Sequence, residues 1–431
     1  MNSGRQNGFA LLLILTALLV VGTTVLLSTV SITSQNNREA SRQGLALADA
    51  RHAVILNAVA HGMSADRAPG ALVCVDASEP DDEVLPNATG PGYRDLSPCN
   101  VSDNDQGNGE VQVVIGRLPV RDLGLAPSSA SSLEDIWYAF DLAYRDRPNA
   151  LPINPETSPG LTLDDESGFA AVLLLPSAPT QAQNRPSADP SDYFSSVNTG
   201  VNISDSDASA FVDCSRVPDD GSDASCGEGD ERTHERVIGI SIDELFDPVQ
   251  RRVLQAVANA LNEYRGNSAG TLPRAARLSG NDMQCSPETF RGYLPVEPLP
   301  ADDGPFEPAP DQCGSDEYLS YDFPEWMRDY NGSTGNDWFQ FLIYHADCDV
   351  THAAEDETLC PPDNPGLKLD NESASAVIAG AGRPLDGQVR PGSEINDYLD
   401  HPDNQDPVGG EYVDYLLRKT DNDAFRRLEP E

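Results

Sequence analysis

The chain has 431 residues of which 39% are hydrophobic, enough to bury a real core in two or three domains, and this excludes a wholly disordered tail. Its 70 acidic residues against 28 basic ones give a net charge of −42, which excludes a protein built to hold nucleic-acid phosphates, because those need Lys and Arg. The acidity suits a solvated surface in salty surroundings, with calcium binding as the sharper alternative.

In chain order the first feature is Phe9 to Val30, FALLLILTALLVVGTTVLLSTV, a run of 22 residues without a charge. Crossing a hydrocarbon core takes about 20 apolar residues. A secretory leader has an apolar core of roughly 7 to 15 residues followed by a small-x-small site, so this run reads as a transmembrane helix instead. Arg5 precedes it, and the positive-inside preference puts Met1 in the cytoplasm and the bulk of the chain outside. A single-pass inner-membrane protein with a periplasmic domain is expected.

The polar leader MNSGRQNG ends in Gly8, and the apolar run starts at once with Phe9. This junction resembles the prepilin peptidase site of type IV pilins and type II secretion pseudopilins. The resemblance implies cleavage between Gly8 and Phe9, N-methylation of Phe9, and a helix that anchors the subunit before it packs into a filament. Most members carry glutamate at the fifth mature position, and here that place holds Leu13. K-type pseudopilins and some PilX-like minor pilins also lack the acid, and the K-type subunit sits at the tip. Leu13 therefore points toward an initiating or capping subunit, and equally permits a protein that never enters a filament.

Beyond the anchor, Asp103, Asp105 and Glu110 place oxygen ligands in a Gly- and Asn-rich loop that suits a hard cation but lacks EF-hand spacing, so calcium is the one metal considered there. A second acid cluster, Asp219 to Glu231, is explained by turn chemistry. The eight cysteines are Cys74, Cys99, Cys214, Cys226, Cys285, Cys313, Cys348 and Cys360. Outside the cytoplasm an even count reads as disulfides, and nearest-neighbour pairing is the simplest connectivity, although sequence does not determine it. His345, Cys348, His352 and Cys360 offer zinc-type donors without a C-x-x-C clamp, and oxidation competes with the metal.

The chain also resembles itself. Ala170 to Tyr193 aligns without gaps on Ser375 to Tyr398, with eight identities in 24 that include Arg185/Arg390, Pro186/Pro391 and Asp192-Tyr193/Asp397-Tyr398. Upstream, Gly116-Arg-Leu-Pro-Val120 echoes Gly292-Tyr-Leu-Pro-Val296, and Trp137-Tyr-Ala-Phe140 echoes Trp338-Phe-Gln-Phe341. Each copy opens with a helical pattern. In the first, Leu45, Ala48, Ile55, Leu56 and Val59 form a stripe continuing the membrane helix to Gly62, about 80 Å if unbroken from Phe9 at roughly 1.5 Å per residue. In the second, Ser241 to Glu244 resembles a capping box, with Pro248 making Asp247 a rival cap, and Phe246, Val249, Val253, Val257, Leu261 and Tyr264 follow at helical spacing.

Short strands are expected at Val111 to Ile115, Ile136 to Leu142, Ala170 to Leu175, Phe339 to Tyr344 and Ala376 to Ala379. A Pro- and Asp-rich insertion, Glu297 to Tyr318, is expected to loop over the surface. The expected fold is thus α+β, a long N-terminal transmembrane helix followed by two degenerate pilin-like repeats of helix and antiparallel sheet, stapled by disulfides. The divisions are a leader at 1–8, the span at 9–30, a first repeat at 31–198, an acidic linker at 199–235 and a second repeat at 236–431.

Catalysis has no positive support, since the six histidines fall in no H-E-x-x-H motif and no G-x-S-x-G elbow or phosphate-binding loop occurs. The repeated Arg185 and Asp192, and Arg390 and Asp397, are each seven apart and suit an ion pair that fixes a loop, or a ligand clamp. The resemblance implies a minor pilin or pseudopilin-like subunit of a type IV pilus or type II secretion filament, whose partners are other minor pilins, the inner membrane and prepilin peptidase. The alternative is a bitopic periplasmic binding protein outside any filament.

Overall fold

The structure, a computed structural model, describes 40–60, 68–76, 113–125, 136–145 and 151–177, most positions of 183–194, 210–216, most of 234–275, 291–294, most of 338–351 and of 366–385, then 398–399 and 424–430, with isolated residues including Thr16, Leu19, Arg38, Arg94, Cys99, Pro179 and Asn198. Two helices stand out among these residues, α1 over 40–60 and α2 over Ile242–Asn267. They pack with two sheets that are antiparallel but for one parallel pair, Leu161–Leu163 with Ala210–Phe211. Sheet one contains β1 (Val113–Arg117), β2 (Trp137–Asp141), β3 (Leu161–Leu163), β4 (Glu166–Leu175), β5 (Ala210–Phe211) and β6 (Arg236–Ser241). Sheet two contains β7 (Arg291–Tyr293), β8 (Leu342–Ala346), β11 (Ala376–Gly380) and β12 (Ala424–Leu428), while β9 (Leu367–Leu369) and β10 (Glu372–Ala374) form a separate hairpin.

α2 starts where its sequence asks it to. Ser241 accepts from the Glu244 N–H, and the Glu244 carboxylate accepts from the Ser241 N–H, so Ser241 and not Asp247 caps the helix. Leu245, Phe246, Val249, Val253, Val257 and Leu261 recur at three- and four-residue steps and are buried. Gln250, the one buried polar residue of that face, donates to the Gly380 and Ala381 carbonyls at 3.0 and 2.9 Å, which ties the helix to the end of β11.

The two sheets share a strand order. Antiparallel pairing runs β1–β2–β4–β6 in one and β7–β8–β11–β12 in the other. With Val172 set on Val377, as in the sequence alignment, Leu174 falls on Ala379; Leu174 pairs with Trp137 and Ala379 with Ile343. Trp137 in turn pairs with Arg117, and Ile343 with Tyr293. Arg117 and Tyr293 therefore occupy the same place in their sheets. Trp338–Phe341 does not match Trp137 in this frame: it forms a 3₁₀ turn ahead of β8, so the expected strand at Phe339 begins only at Leu342.

β6 joins the units directly. It follows the segment expected to link two repeats, yet it pairs with β4 of sheet one, and its last residue, Ser241, is also the cap of α2. One core cluster runs across both units, with Leu47, Ala50 and Val54 of α1, Tyr138 and Leu173 of sheet one, the buried face of α2, and Tyr344 and Ile378 of sheet two.

The expected architecture is corrected at its start. The structure is rich in strands, and among the described residues no helix is long and apolar enough to cross a membrane. Among the described residues there is no long N-terminal transmembrane helix leading two pilin-like repeats, which conflicts with the expected single-pass inner-membrane placement with a periplasmic domain. The expected continuation of that helix, α1, carries Arg42, Asp49, Arg51 and His52, too many polar groups for hydrocarbon, and its buried side faces protein. Its stripe is also rotated from the expected one. Ala46, Leu47, Ala50, Val54 and Ala58 are buried, while Leu45 and Leu56 are 65% and 52% exposed. Of the run from Phe9 to Val30 only Thr16 and Leu19, both helical, are among the described residues; Gly8, Phe9 and Leu13 lie outside them.

Candidate functional site: a charged cleft and a locked arginine loop

Arg185 is bent back on the loop that follows β4 and is tied to Asp192 through the backbone. Its Nε donates to the Asp192 backbone carbonyl at 2.8 Å, and its two terminal nitrogens reach the carbonyls of Ser177 and Tyr193 and the side chain of Gln183. The guanidinium also lies over the Tyr193 ring, 4.7 Å from its centroid. A fork of five donors bent back on three carbonyls explains why the loop needs arginine and not lysine.

Tyr193 closes the same loop on sheet one. Its ring packs 4.9 Å from Trp137, and its hydroxyl accepts from Arg117 Nη2 and from the Ser187 N–H, each at 3.0 Å. In the second unit Tyr293 stands where Arg117 does, and its hydroxyl bonds that of Tyr398 with the rings edge to face. The motif thus serves as a loop lock. Arg390 and Asp397 lie outside the described residues.

A cleft of about 1290 Å³ opens between α1, the start of α2 and the edge of β6. β6 lies on the side of β4 away from β2 and β3, since Ala171 pairs at once with Phe140 and Ile240, and Phe169 with Leu161 and Ser241. Its other edge is met by side chains and one loop N–H. Ser215 N–H donates to the Glu235 carbonyl at 3.1 Å, Asp213 accepts from the Val237 N–H at 3.4 Å, Arg51 donates to the Gly239 carbonyl at 3.0 Å, and Glu244 accepts from the Ser241 N–H at 3.2 Å. Arg51 is also paired with both oxygens of Glu244. Glycine at 239 is required by packing, because a Cβ there would fall 2.1 Å from the Phe169 ring.

Both signs of charge line the cleft. Arg216, paired with Asp213 at 3.0 Å, and Arg236 lie toward the beginning of β6, and Asp243, Glu244 and Asp247 crowd the first turns of α2, where carboxylates are favoured by the helix dipole, with Arg51 paired to Glu244 and Arg251 one turn beyond Asp247. A smaller cleft of about 610 Å³ lies between α2 and β12, with Arg265, Arg426 and Arg427 on its wall. Each cleft thus sits between a helix and the edge strand of a sheet.

Other expected site residues divide as follows. Cys74 and Cys99 are joined in a disulfide, and Cys214 is buried and disulfide-bonded. Cys226, Cys285, Cys313, Cys348 and Cys360 lie outside the described residues, as do Asp103, Asp105 and Glu110 of the calcium loop and His352. His345 is buried in β8, and loss of hydration, with the Arg291 charge nearby, pushes its pKa down to about 3. Among the described residues no group of three or more His, Cys, Asp or Glu is placed to hold a metal ion. Compared with models of protein families, with curated proteins and with solved structures, the chain matches none.

Proposed function

We propose that this protein is a pilin-like structural subunit, of the minor pilin or pseudopilin kind, that acts by holding partners and not by catalysis. The observation that carries this reading is the recurrence of one plan: four antiparallel strands paired in the same order twice in one chain, with both helices in the core cluster they share. Such a plan gives a stiff body with two helix-to-edge clefts, suited to contacts on more than one side. The Gly8 and Phe9 junction supports the pilin kind in particular.

The test is the amino terminus. In cells with an active prepilin peptidase the mature chain is expected to begin at Phe9 by mass spectrometry, and Gly8→Val is expected to block this. A chain that keeps Met1 to Gly8 in such cells would overturn the reading. A second reading, a binding protein that stays outside any filament, is favoured by the position of the larger cleft at the junction of the two units.

A further inference from the structure

We propose that the larger cleft binds an extended peptide segment of a partner protein as an added strand on the outer edge of β6, with an acidic side chain toward Arg236 and a basic one toward Asp247. The proposal goes beyond the pilin-like reading and does not rest on it.

The edge itself is the first argument. Along an antiparallel strand, alternate residues turn both backbone groups to the same side. The four caps show that Glu235, Val237, Gly239 and Ser241 face outward. Between the cap on the Val237 N–H and the cap on the Gly239 carbonyl, the Val237 carbonyl and Gly239 N–H form the neighbouring acceptor and donor that one residue of an incoming strand would use. Natural sheets blunt free edges with charged side chains. Here the central cap, Arg51, is 36% exposed and its partner Glu244 37%, so water can take over their hydrogen bonds when a peptide displaces the guanidinium.

Charge selects the occupant. Arg236 donates to the Ala40 carbonyl and has no carboxylate partner among the described residues. Asp247, six residues past the end of β6, has no cationic partner among them, and Asp243 is held by Arg383. β6 spans about 20 Å at roughly 3.4 Å per residue, with Arg236 its first residue and Asp247 in the second turn of the helix that follows it. Leu47, Leu163 and Ile238 line the space between them. A purely basic segment would be drawn to the whole acidic surface, whereas a segment with one acid and one base matches this cleft.

The experiment uses the full chain and three synthetic peptides of alternating Val and Thr: one with Glu at one end and Lys at the other, one with Lys at both ends, and the first peptide N-methylated at alternate backbone nitrogens. The Glu/Lys peptide is expected to bind saturably and to slow hydrogen exchange at Gly239. N-methylation is expected to weaken it by roughly tenfold or more. Arg236→Glu is expected to weaken the Glu/Lys peptide and strengthen the Lys/Lys peptide, a reversal that misfolding would not produce. Equal binding of the N-methylated peptide, no saturation by the Glu/Lys peptide at millimolar concentration, or unchanged preference in Arg236→Glu would overturn the proposal. None of these results bears on processing at Gly8.

Discussion

The Tyr193 hydroxyl accepts a hydrogen bond from Arg117 at 3.0 Å, joining a loop after β4 to the last residue of β1. The same hydroxyl accepts the Ser187 N–H, so Tyr193→Phe removes one oxygen and leaves two donors without it. A cost of about 1–3 kcal/mol is expected, read by chemical denaturation. In a double-mutant cycle with Arg117→Met the two changes are expected to couple, since each breaks the same contact. Strict additivity would show that the Arg117 contact does not help to hold the loop.

How much of this was legible in the sequence depends on the scale of the signal. The α2 cap and stripe were, because Ser241, Glu244 and the apolar positions after them are local and periodic. The Arg185 and Tyr193 motif was visible as a repeat, but its partner, Arg117, lies 76 positions from Tyr193, and no local pattern connects them. The α1 face was misplaced for a physical reason. The largest side chains suggested the stripe, whereas the buried side is built mostly of alanines, whose value in a close approach is being small. The cleft left no trace at all, since one arginine on a helix and one aspartate on a loop become edge caps only when the sheet is assembled.

Arg51 and Glu244 join α1 to the first turn of α2, and both are more than a third exposed. Solvent screening therefore limits their pairing to about 1 kcal/mol or less. A cycle built from Arg51→Met and Glu244→Gln is expected to give a coupling of that size in low salt, shrinking as salt is added. A larger coupling that resists salt would mean that the pair is shielded from water.

Tyr138 tests the opposite situation. Its ring is fully buried, stacked 5.2 Å from Phe140, and its hydroxyl has no hydrogen-bond partner among the described residues. Burial without a partner pushes its pKa well up. Tyr138→Phe is expected to stabilise the protein by about 1 kcal/mol, because it removes a polar atom that lost its water on folding. Destabilisation in thermal or chemical denaturation would reveal a partner for the hydroxyl.

His345 supplies a pH dependence whose sign follows from its burial. Its pKa is pushed from the ordinary 6.5 down to about 3, so between these values the unfolded chain takes up a proton that the folded chain refuses. Its contribution to stability is whole above pH 6.5 and falls as the pH drops toward 3, by up to about 1.4 kcal/mol per unit. The acidic surface works the other way, since protonating carboxylates relieves repulsion within a chain of net charge −42. The two are separated by comparing the protein with His345→Gln at pH 7, 6 and 5. The variant is expected to lose less stability on acidification, by up to one proton's slope, and parallel curves would show that His345 takes up its proton in the folded state as readily as in the unfolded one.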